Sequence, residues 1–514
     1  MWSSLAPERN ISWAVTRIHF FDQLNPKFFA YGGLPIYLYR ALGEEVVLAT
    51  HNPEWLFDWG HIAVIGRYVS AIISTISIFL IYLVGASYFT PTVGILAATL
   101  LTFSPWAIQQ AHFDTTETML VFYLLAMTWV SHQLFRKLNR RSVIQLGLLW
   151  GLAMAAKTTS LLFGIIPITA IWFPHTIFKN FFKKLLFTFL LVPTTGIIFF
   201  IFSPYTVLDL KHFLESMTYE SGVALGRLDV PYTLQFLHTP PYLFQIQTML
   251  WQAGPLVIVG FLGLIGLVIA ALFKKKFHLI LILAFPLLYF GWVGSWFAKF
   301  NRYNVPFLPF LTVAASWFCM TFIKRFRVAG IAFTALLLSI TILWGLSNFS
   351  IYLRPQTRLT ASEWMYKNIP KTAKLYTEHW NDGLPIDIEG VGTNGQYRRD
   401  TLNVYDEDNA AKKIYYADQL IAGDFIILTT RRMWATMPRL QKKYPLTKLF
   451  YQRLLDSSLG YKEVATFTSY PQLFGFSIND DGEEESIQGF FHPTVRIFQN
   501  TARDTRDQYL KLLT

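Results

Sequence analysis

The chain of 514 residues is 53% hydrophobic and 17% aromatic, only 15% of its residues are charged, and its mean hydropathy is +0.35. This balance excludes an ordinary soluble globular protein and is typical of a polytopic membrane protein. The net charge of +12 does not require a nucleic-acid partner, because the basic residues lie largely in short loops between apolar runs. The single cysteine, Cys319, excludes an internal disulfide and a cysteine-based metal site.

Apolar runs of roughly membrane-spanning length, about 20 residues, follow one another through the first two thirds of the chain. They comprise residues 67–89, 92–110, 117–134, 184–203, 252–273, 277–294, 304–323 and 328–347. The apolar segment 143–174 is interrupted by Lys157, Thr158 and Thr159, and we interpret it as two short spans. The sequence therefore predicts a mainly α-helical membrane bundle of about ten spans.

The loops between these runs alternate in charge. One set is short and basic and comprises 135–142 (FRKLNRRS), 178–184 (FKNFFKK), 273–277 (FKKKF) and 324–327 (KRFR). The other set comprises 112–117, 156–160, 204–251 and 298–304. By the positive-inside rule the first set is cytoplasmic and the second set faces outward, which predicts a multi-pass protein of the plasma membrane.

Residues 1–66 and the 204–251 loop both fall on the outer side in this topology. Residues 1–66 have only short apolar runs and form a first outer loop with interfacial helices. Because Met1 would begin outside the membrane without a preceding span, either an upstream helix is missing from this sequence, which we expect, or the N-terminus is translocated unaided. Residues 67–347 form the transmembrane domain, and their long outer loop 204–251 holds two further helices suited to the membrane interface.

The C-terminal segment, residues 348–514, has a polar composition. It alternates short β-rich runs, such as 424–430 (DFIILTT) and 494–498 (TVRIF), with helical stretches such as 408–421. This pattern predicts a small α/β domain, which the topology places outside the cytoplasm.

Ionisable residues gather at helix ends on the predicted outer face. They are Glu8, Asp22, Asp58, His112, Asp114, Glu117, Lys157, Asp209, Glu220, Asp229, Lys299 and Arg302. A lone charge at the lipid boundary costs free energy, so we interpret the set as lining a common water-accessible cavity. Lys157 is either a snorkelling lysine or a cation that holds an anionic head group, with Thr158 and Thr159 as hydroxyl donors.

The stretch 296–310 (WFAKFNRYNVPFLPF) concentrates cations and aromatic rings where a membrane helix should begin. Lys299 and Arg302 are either interfacial anchors or a phosphate clamp that combines a point charge with a planar fork. Tyr303 could hydrogen-bond the same ligand. Two prolines, Pro306 and Pro309, predict an irregular outer turn of the kind that lines a cavity.

His112 and Glu117 could help to hold a divalent ion, although helix capping by Asp114 or Thr116 explains the same pattern. A second loose group, Glu378, His379 and Asp382, lies near the start of the C-terminal segment. No cofactor is indicated with certainty, and a divalent metal stays an open alternative. The sequence has no P-loop, dinucleotide fingerprint or Gly-x-Ser-x-Gly motif, which argues against a soluble nucleotide donor or a serine hydrolase.

Several stretches resemble, in order, bacterial membrane glycosyltransferases of the family 39 type, which are relatives of protein O-mannosyltransferases and of the aminoarabinose lipid A transferase. They are NPKFFAYGGLPIYLYR (25–40), GRYVSAI (66–72), HFDTTETMLVF (112–122), GLAMAAKTTSLL (151–162), SPYTVLD (203–209), DVPYT (229–233) and KFNRYNVPFLP (299–309). EHWNDGLP (378–385) and FHPTVRIF (491–498) resemble the tail of a phospholipid-carrier-dependent subgroup. The resemblance implies the GT-C fold over nearly the whole chain.

The resemblance also implies an activity and assigns roles to residues. Such enzymes pass a sugar from a polyprenyl-phosphate carrier to an acceptor on the outer face, with inversion, and an acidic residue in the first outer loop acts as the base. LAPERNI (5–11) places Glu8 on the Glu of the family's His-Pro-Asp-Glu-like run and Pro7 where the Asp should be. The catalytic candidates are therefore Glu8, then Asp22 and Asp58. Lys157, Lys299, Arg302 and Tyr303 would bind the donor phosphate, with Asp114, Glu117 and Asp209 as supporting acids.

Three hypotheses follow from these observations. The first is an inverting glycosyltransferase that uses a polyprenyl-phosphate-linked sugar and an unknown acceptor, which is a protein, a lipid or a glycan. The second is a flippase for a lipid-linked sugar, which needs the same cations but no catalytic acid; the hydropathy shows no clear inverted repeat in its support. The third is a scaffold, a degenerate relative that has lost its catalytic acid.

Overall fold

The structure is a computed structural model that describes residues 6–173, 181–379 and 381–514. The described residues leave out part of the expected basic loop 178–184. They also leave out Leu5 of the motif LAPERNI (5–11) and Trp380 of the motif EHWNDGLP (378–385). The chain divides into two compact units. One comprises Trp2–Leu225 and Pro240–Leu346, here called the membrane unit, and the other comprises Gly226–Thr239 and Ser347–Thr514, here called the C-terminal unit.

Helices dominate the chain up to residue 349. They are α1 (Ala6–Thr16), α2 (Gly33–Thr50), α3 (Glu54–Phe57), α4 (Trp59–Tyr88), α5 (Pro91–Thr102), α6 (Pro105–Ala111), α7 (Glu117–Arg136), α8 (Arg140–Ala156), α9 (Ile165–Trp172), α10 (Phe181–Phe202), α11 (Tyr205–Leu208), α12 (Leu210–Ala224), α13 (Leu243–Ala253), α14 (Leu256–Phe273), α15 (Ile280–Val293), α16 (Leu308–Arg325) and α17 (Arg327–Phe349). Short 3₁₀ turns lie at Thr158–Gly164, Pro231–Phe236, Phe277–Leu279, Asn301–Asn304 and Ser350–Leu353. The predicted mainly helical architecture is confirmed.

The sequence predicts about ten spans, but fewer helices in the described chain have the length and composition needed to cross a membrane. Among the described residues five helices are long and apolar enough to cross a membrane, or six if the bent pair α5 and α6 forms one span. The five lie in Trp59–Tyr88, Glu117–Arg136, Phe181–Phe202, Leu256–Phe273 and Arg327–Asn368. Counting apolar runs overestimates the number, because some of these runs fold into helices shorter than the bilayer, such as Thr158–Trp172 and Phe277–Val293.

The predicted interruption at Lys157 is present. Helix α8 ends at Ala156, and Lys157 has an extended backbone before the 3₁₀ turn Thr158–Gly164 and helix α9. The Ala153 carbonyl accepts both from the Lys157 backbone N–H at 3.0 Å and from the Ser160 hydroxyl at 2.7 Å, which fixes the turn after α8. The break therefore places Lys157 directly after the end of α8.

The N-terminal segment packs against the membrane helices in one apolar cluster. Residues of α1 and α2, including Ile11, Val15 and Ile36, are buried together with Ile62 of α4 and Ala155 of α8. Gly32 lies so close to α8 that a Cβ there would be 1.9 Å from the Ala155 carbonyl oxygen. The first outer loop is thus part of the membrane unit, and this packing brings Glu8 to α4.

The C-terminal unit contains a mixed five-stranded sheet, which confirms the predicted α/β domain. Its strands and helices are α18 (Thr357–Asn368), β1 (Lys374–Glu378), β2 (Arg398–Leu402), α19 (Ala410–Ala422), β3 (Phe425–Leu428), α20 (Pro445–Leu455), β4 (Tyr461–Phe467), β5 (Gln472–Leu473), β6 (Phe476–Ser477), α21 (Glu485–Phe491), β7 (Val495–Asn500) and α22 (Arg506–Leu512). The strand order is β2-β1-β3-β7-β4, in which β1 pairs in parallel with β2 and β3, and β7 pairs antiparallel with β3 and β4. A separate pair is formed by β5 and β6. Alternate residues of β3 enter two apolar clusters, one on each face, so this strand is buried on both sides.

Candidate active site

Lys157 and Glu117, which lie 40 residues apart, form an ion pair in the membrane unit. The Lys157 Nζ lies 2.9 Å from the Glu117 Oε1, and the side chains are 15% and 3% exposed. Lys157 follows the last residue of α8, and Glu117 is the first residue of α7. The Lys157 ammonium also lies 5.5 Å from the centre of the Tyr31 ring. The structure therefore brings together two of the residues singled out in the sequence.

Arg302 lies close to this pair. Its guanidinium carbon is 4.6 Å from the centre of the Phe300 ring and 5.7 Å from that of Tyr303, and its charge interacts with Glu117 and Tyr31. The charges of Lys157 and Arg302 therefore both act on the Glu117 carboxylate. Of the four predicted phosphate-binding residues, Lys157, Arg302 and Tyr303 meet here.

Hydrogen bonds between buried groups hold the turn that carries Arg302. The Asn304 amide donates to Thr248 Oγ1 at 3.1 Å and to Gln252 Oε1 at 3.2 Å. Gln252 in turn donates to the Asn301 carbonyl at 3.2 Å, and the Tyr289 hydroxyl donates to the Tyr303 carbonyl at 2.9 Å. The asparagines of the stretch 296–310 therefore position the turn, a role that the sequence analysis did not assign to them.

Lys299 has different surroundings. Its side chain is buried, the Nζ donates to the Phe297 carbonyl at 2.9 Å, and burial lowers the pKa of the ammonium. None of its described contacts is with the Lys157–Glu117 pair. The contacts of Lys299, which are with the Phe297 carbonyl and ring, therefore differ from those of the other three predicted phosphate-binding residues.

Helix α12 adds an acid and a thioether to this end of the membrane unit. The charge of Glu220 interacts with Tyr31 and with Tyr303. The Thr158 hydroxyl donates to the Met217 sulfur at 3.4 Å. Part of the segment 204–251, which the sequence predicts to be an outer loop, therefore borders the group that contains Lys157 and Arg302.

Glu8 is almost completely buried, at 1% exposure, and its carboxylate is engaged by three donors. Arg67 of α4 donates to both oxygens, at 2.9 Å from Nε and 2.7 Å from Nη2. The backbone N–H of Asp114 donates to Glu8 Oε1 at 3.0 Å. This geometry favours a bracing role for Glu8 over the predicted role of catalytic base.

Arg67 belongs to the stretch GRYVSAI (66–72), whose resemblance implies no role for this residue. Arg67 lies in the third turn of a helix with a mean hydropathy of 2.2 over its most apolar stretch. An ionisable residue inside a membrane helix is a sign of a functional or paired group. That signal alone would have marked Arg67 as a candidate.

Asp114 is fully buried. The Tyr39 hydroxyl lies near its carboxylate and interacts with it as a hydrogen-bond donor, which opposes part of the effect of burial on the pKa of Asp114. Burial, with a smaller contribution from the negative charge of Glu8, raises the pKa of Asp114 well above its ordinary range. The carboxylate packs on the backbone of α4 at Gly66, where a Cβ would lie 2.2 Å from the Asp114 Cγ. A buried carboxyl group with a raised pKa is the type of group that takes part in general acid–base chemistry.

The other predicted acids do not join this group. Asp58 is the N-cap of α4, since its carboxylate accepts from the backbone N–H of His61 at 2.9 Å, and Asp22 is exposed. Asp209 accepts from the Asn25 amide at 2.7 Å and lies 2.6 Å from His212 Nδ1, and these hydrogen bonds lower the pKa of Asp209 to about 2. The structure therefore favours local structural roles for Asp58 and Asp209.

The predicted metal groups gain no support from the geometry. The described part of the chain contains no cluster of three or more His, Cys, Asp or Glu side chains that could hold an ion. His112 Nδ1 lies 2.7 Å from the Ile108 carbonyl oxygen, while Glu117 pairs with Lys157. In the second group, Glu378 accepts from Asn381 at 2.7 Å, whereas Asp382 lies 3.5 Å from Arg358.

Comparison with known proteins agrees with this architecture. Residues 58–204 match the family described as dolichyl-phosphate-mannose-protein mannosyltransferase. No curated protein sequence matches the chain. Among solved structures, the apo oligosaccharyltransferase of Archaeoglobus fulgidus is similar at a TM-score of 0.53 and 13% identity, over 93% of this chain and 71% of that one. The same enzyme tethered to an acceptor peptide with the NVT sequon gives a TM-score of 0.51 at 12% identity, over 97% and 84% of the two chains.

A third structure, ArnT from Cupriavidus metallidurans bound to undecaprenyl phosphate, matches at a TM-score of 0.49 and 10% identity, over 96% of this chain and 94% of that one. At these identities the two matches to the archaeal oligosaccharyltransferase, with TM-scores above 0.5, establish the fold alone. The resemblance to membrane glycosyltransferases is confirmed, since residues 58–204 match a family of this class and the chain shares the GT-C fold of the archaeal oligosaccharyltransferase.

Proposed function

We propose that the protein transfers a sugar from a polyprenyl-phosphate carrier to an acceptor on the outer face of the plasma membrane, with inversion at the anomeric carbon. The observation that carries this proposal is the meeting of Lys157, Arg302 and Glu117 at one end of the membrane helices. The family match over residues 58–204, whose description names a dolichyl-phosphate-linked sugar, supports a lipid-phosphate donor.

Lys157 and Arg302 would bind the donor phosphate. A guanidinium offers a planar fork to phosphate oxygens, and an ammonium offers a compact charge. In the present structure Lys157 is neutralised by Glu117, so donor binding would exchange a carboxylate oxygen for a phosphate oxygen on the same ammonium. As the bond from the sugar to the phosphate breaks, both cations would offset the charge that develops on the leaving phosphate.

Asp114 would accept the proton of the acceptor group. Its buried carboxylate, which packs on Gly66 of α4 and lies three residues before Glu117 in the sequence, suits the role of a general base. The acceptor's heteroatom forms a bond to the anomeric carbon on the face opposite the departing phosphate, which keeps the electron pair of the broken C–O bond. Attack from the opposite face inverts the configuration.

This assignment also answers the hypothesis of a degenerate scaffold. That hypothesis rested on the loss of the acid in the first outer loop, where Pro7 stands at the position of the expected Asp. Asp114, whose backbone N–H donates to Glu8 Oε1, supplies a second carboxylate, so the chain retains a candidate base.

Reconstitution of the full chain in liposomes with a polyprenyl-phosphate-linked sugar tests the proposal, with release of the free polyprenyl phosphate as the readout. Lys157→Ala and Arg302→Ala should each reduce release at least 100-fold, a typical value for removal of one group that stabilises developing charge. Lys299→Met is the matched control, because it removes a neighbouring cation that lies outside the group, and it should retain more than half of the activity. Full activity in both alanine variants would contradict the phosphate roles, and movement of lipid-linked sugar across the bilayer without release would favour a flippase.

A further inference from the structure

The acids of the membrane unit are confined to three segments of the chain. All of its acids lie in residues 8–58, 114–117 and 209–220, and residues 59–113, 118–208 and 240–346 contain neither Asp nor Glu. The basic loops 135–142, 273–277 and 324–327 lie in these acid-free segments. Helix α7 runs from Glu117 to Arg136, which places Arg136 about 28 Å from the acidic end. Carboxylates of this unit therefore do not neutralise the basic face.

One imidazole is buried at this face. His132 of α7 is 8% exposed, and its ring is 4.5 Å from the ring of Tyr88 at an angle of 55°. Neither ring nitrogen has a hydrogen-bond partner among the described residues. Burying a polar group without a partner costs free energy, so this arrangement indicates a ligand that the protein itself does not supply.

The charged groups that surround His132 are all basic. Arg136, one turn further along α7, and His278 both interact with its charge, and Lys276 interacts with that of His278. In the part of the chain that the structure describes, no acidic side chain is among the charged neighbours of His132 or His278. A site with two imidazoles and two cations, and with no counter-charge, selects an anion.

We propose that His132, Arg136 and His278 form a binding site for the phosphate of an anionic lipid head group, at the membrane face opposite the candidate active site. Imidazole N–H groups and a guanidinium are suitable donors to phosphate oxygens. Basic sites between membrane helices that lie at the level of the head groups bind anionic lipids in this way. The site is separate from the donor site, and the proposed glycosyl transfer does not depend on it.

Native mass spectrometry of the full-length protein in detergent tests the site, with phosphatidylglycerol and phosphatidylcholine as probes. His132→Phe keeps a ring against Tyr88 but removes both nitrogens. Arg136→Gln changes an exposed residue at a helix end and so does not disturb packing. Arg140→Gln is the matched control, because it removes an exposed cation of the same basic loop.

The wild-type protein should retain phosphatidylglycerol in preference to phosphatidylcholine. His132→Phe and Arg136→Gln should each weaken that retention about fivefold, as expected for the loss of one close charge or donor, and Arg140→Gln should leave it within twofold. If inorganic phosphate competes with lipid for the wild-type protein but not for His132→Phe, the result would support a phosphate-binding site. If the wild-type protein also shows no preference between the two lipids, the ligand would be free phosphate. Equal retention in wild type, His132→Phe and Arg136→Gln would overturn the proposal, and so would an equal loss in Arg140→Gln, which would show a diffuse charge effect.

Discussion

Substitution of Glu8 with Gln separates a bracing carboxylate from a catalytic one. The wild-type side chain accepts two hydrogen bonds from Arg67, at 2.9 and 2.7 Å, and one from the Asp114 N–H at 3.0 Å. A glutamine has the same shape, but it turns an NH₂ group toward one donor and removes the counter-charge of a guanidinium whose side chain is 20% exposed. Breaking a buried ion pair in this way costs about 3–5 kcal/mol, and the partial exposure of Arg67 places the expected loss near the lower value, about 3 kcal/mol.

Unfolding of the purified protein in detergent, followed by tryptophan fluorescence, measures this loss. Glu8→Gln and Arg67→Gln should each lower the midpoint clearly, whereas the double variant should be less destabilised than the sum of the two. A coupling free energy of about 2 kcal/mol is expected for groups in direct contact. Transfer activity should fall in all three variants, because the Asp114 loop loses its anchor. A Glu8→Gln protein as stable as the wild type but inactive would refute the bracing role and restore Glu8 as the base.

Asp114→Asn removes the proposed proton acceptor but keeps its shape, so kcat should fall about 100-fold to 10,000-fold while the unfolding midpoint is unchanged or higher; unchanged turnover would contradict the assignment. Gly66→Ala places a Cβ 2.2 Å from the Asp114 Cγ and should reduce transfer strongly, whereas Gly196→Ala, where a Cβ meets nothing within 4 Å, is the control that should not. In the C-terminal unit, burial raises the pKa of Glu378 to about 8. The folded unit therefore keeps a proton that the unfolded chain releases near pH 4, so its stability should fall, by at most about 5 kcal/mol, as the pH rises from about 4 to 8. Glu378→Gln should flatten this dependence in denaturant titrations across that range, and an unaltered slope would argue against a protonated Glu378.

Short-range patterns in the sequence predicted most of the secondary structure. The interruption at Lys157, the helical first two thirds and the C-terminal α/β unit all depend on apolar runs, caps and residue preferences that act over a few positions. The predicted count of about ten spans is too high because it also depends on these short-range patterns alone. An apolar run shows that a segment is buried, but it does not show whether the segment forms one long helix or a bent or short one, as in α5, α6 and α9.

The candidate site was predicted in part. Lys157, Glu117, Arg302 and Tyr303 were chosen because they are polar groups at helix ends on one predicted face, and the structure brings them together. The sequence predicts that Lys299 binds phosphate together with Arg302. Its ammonium donates to the Phe297 carbonyl, which the spacing of the residues does not indicate. The direction of a side chain depends on the packing of its neighbours, which spacing in a loop does not specify.

The sequence by itself determined the class of the protein, a helical membrane bundle with a polar α/β unit, because hydropathy and periodicity are properties of contiguous residues. The tertiary structure alone decided the surroundings of each acid. Glu8 and Arg67 are 59 residues apart and Glu8 and Asp114 are 106 apart, and no local pattern records that the Glu8 carboxylate pairs with Arg67 while the Asp114 carboxylate is buried and pairs with no cation in the described chain. Such pairings form only when distant helices pack, and the same packing that neutralises Glu8 buries Asp114 and raises its pKa.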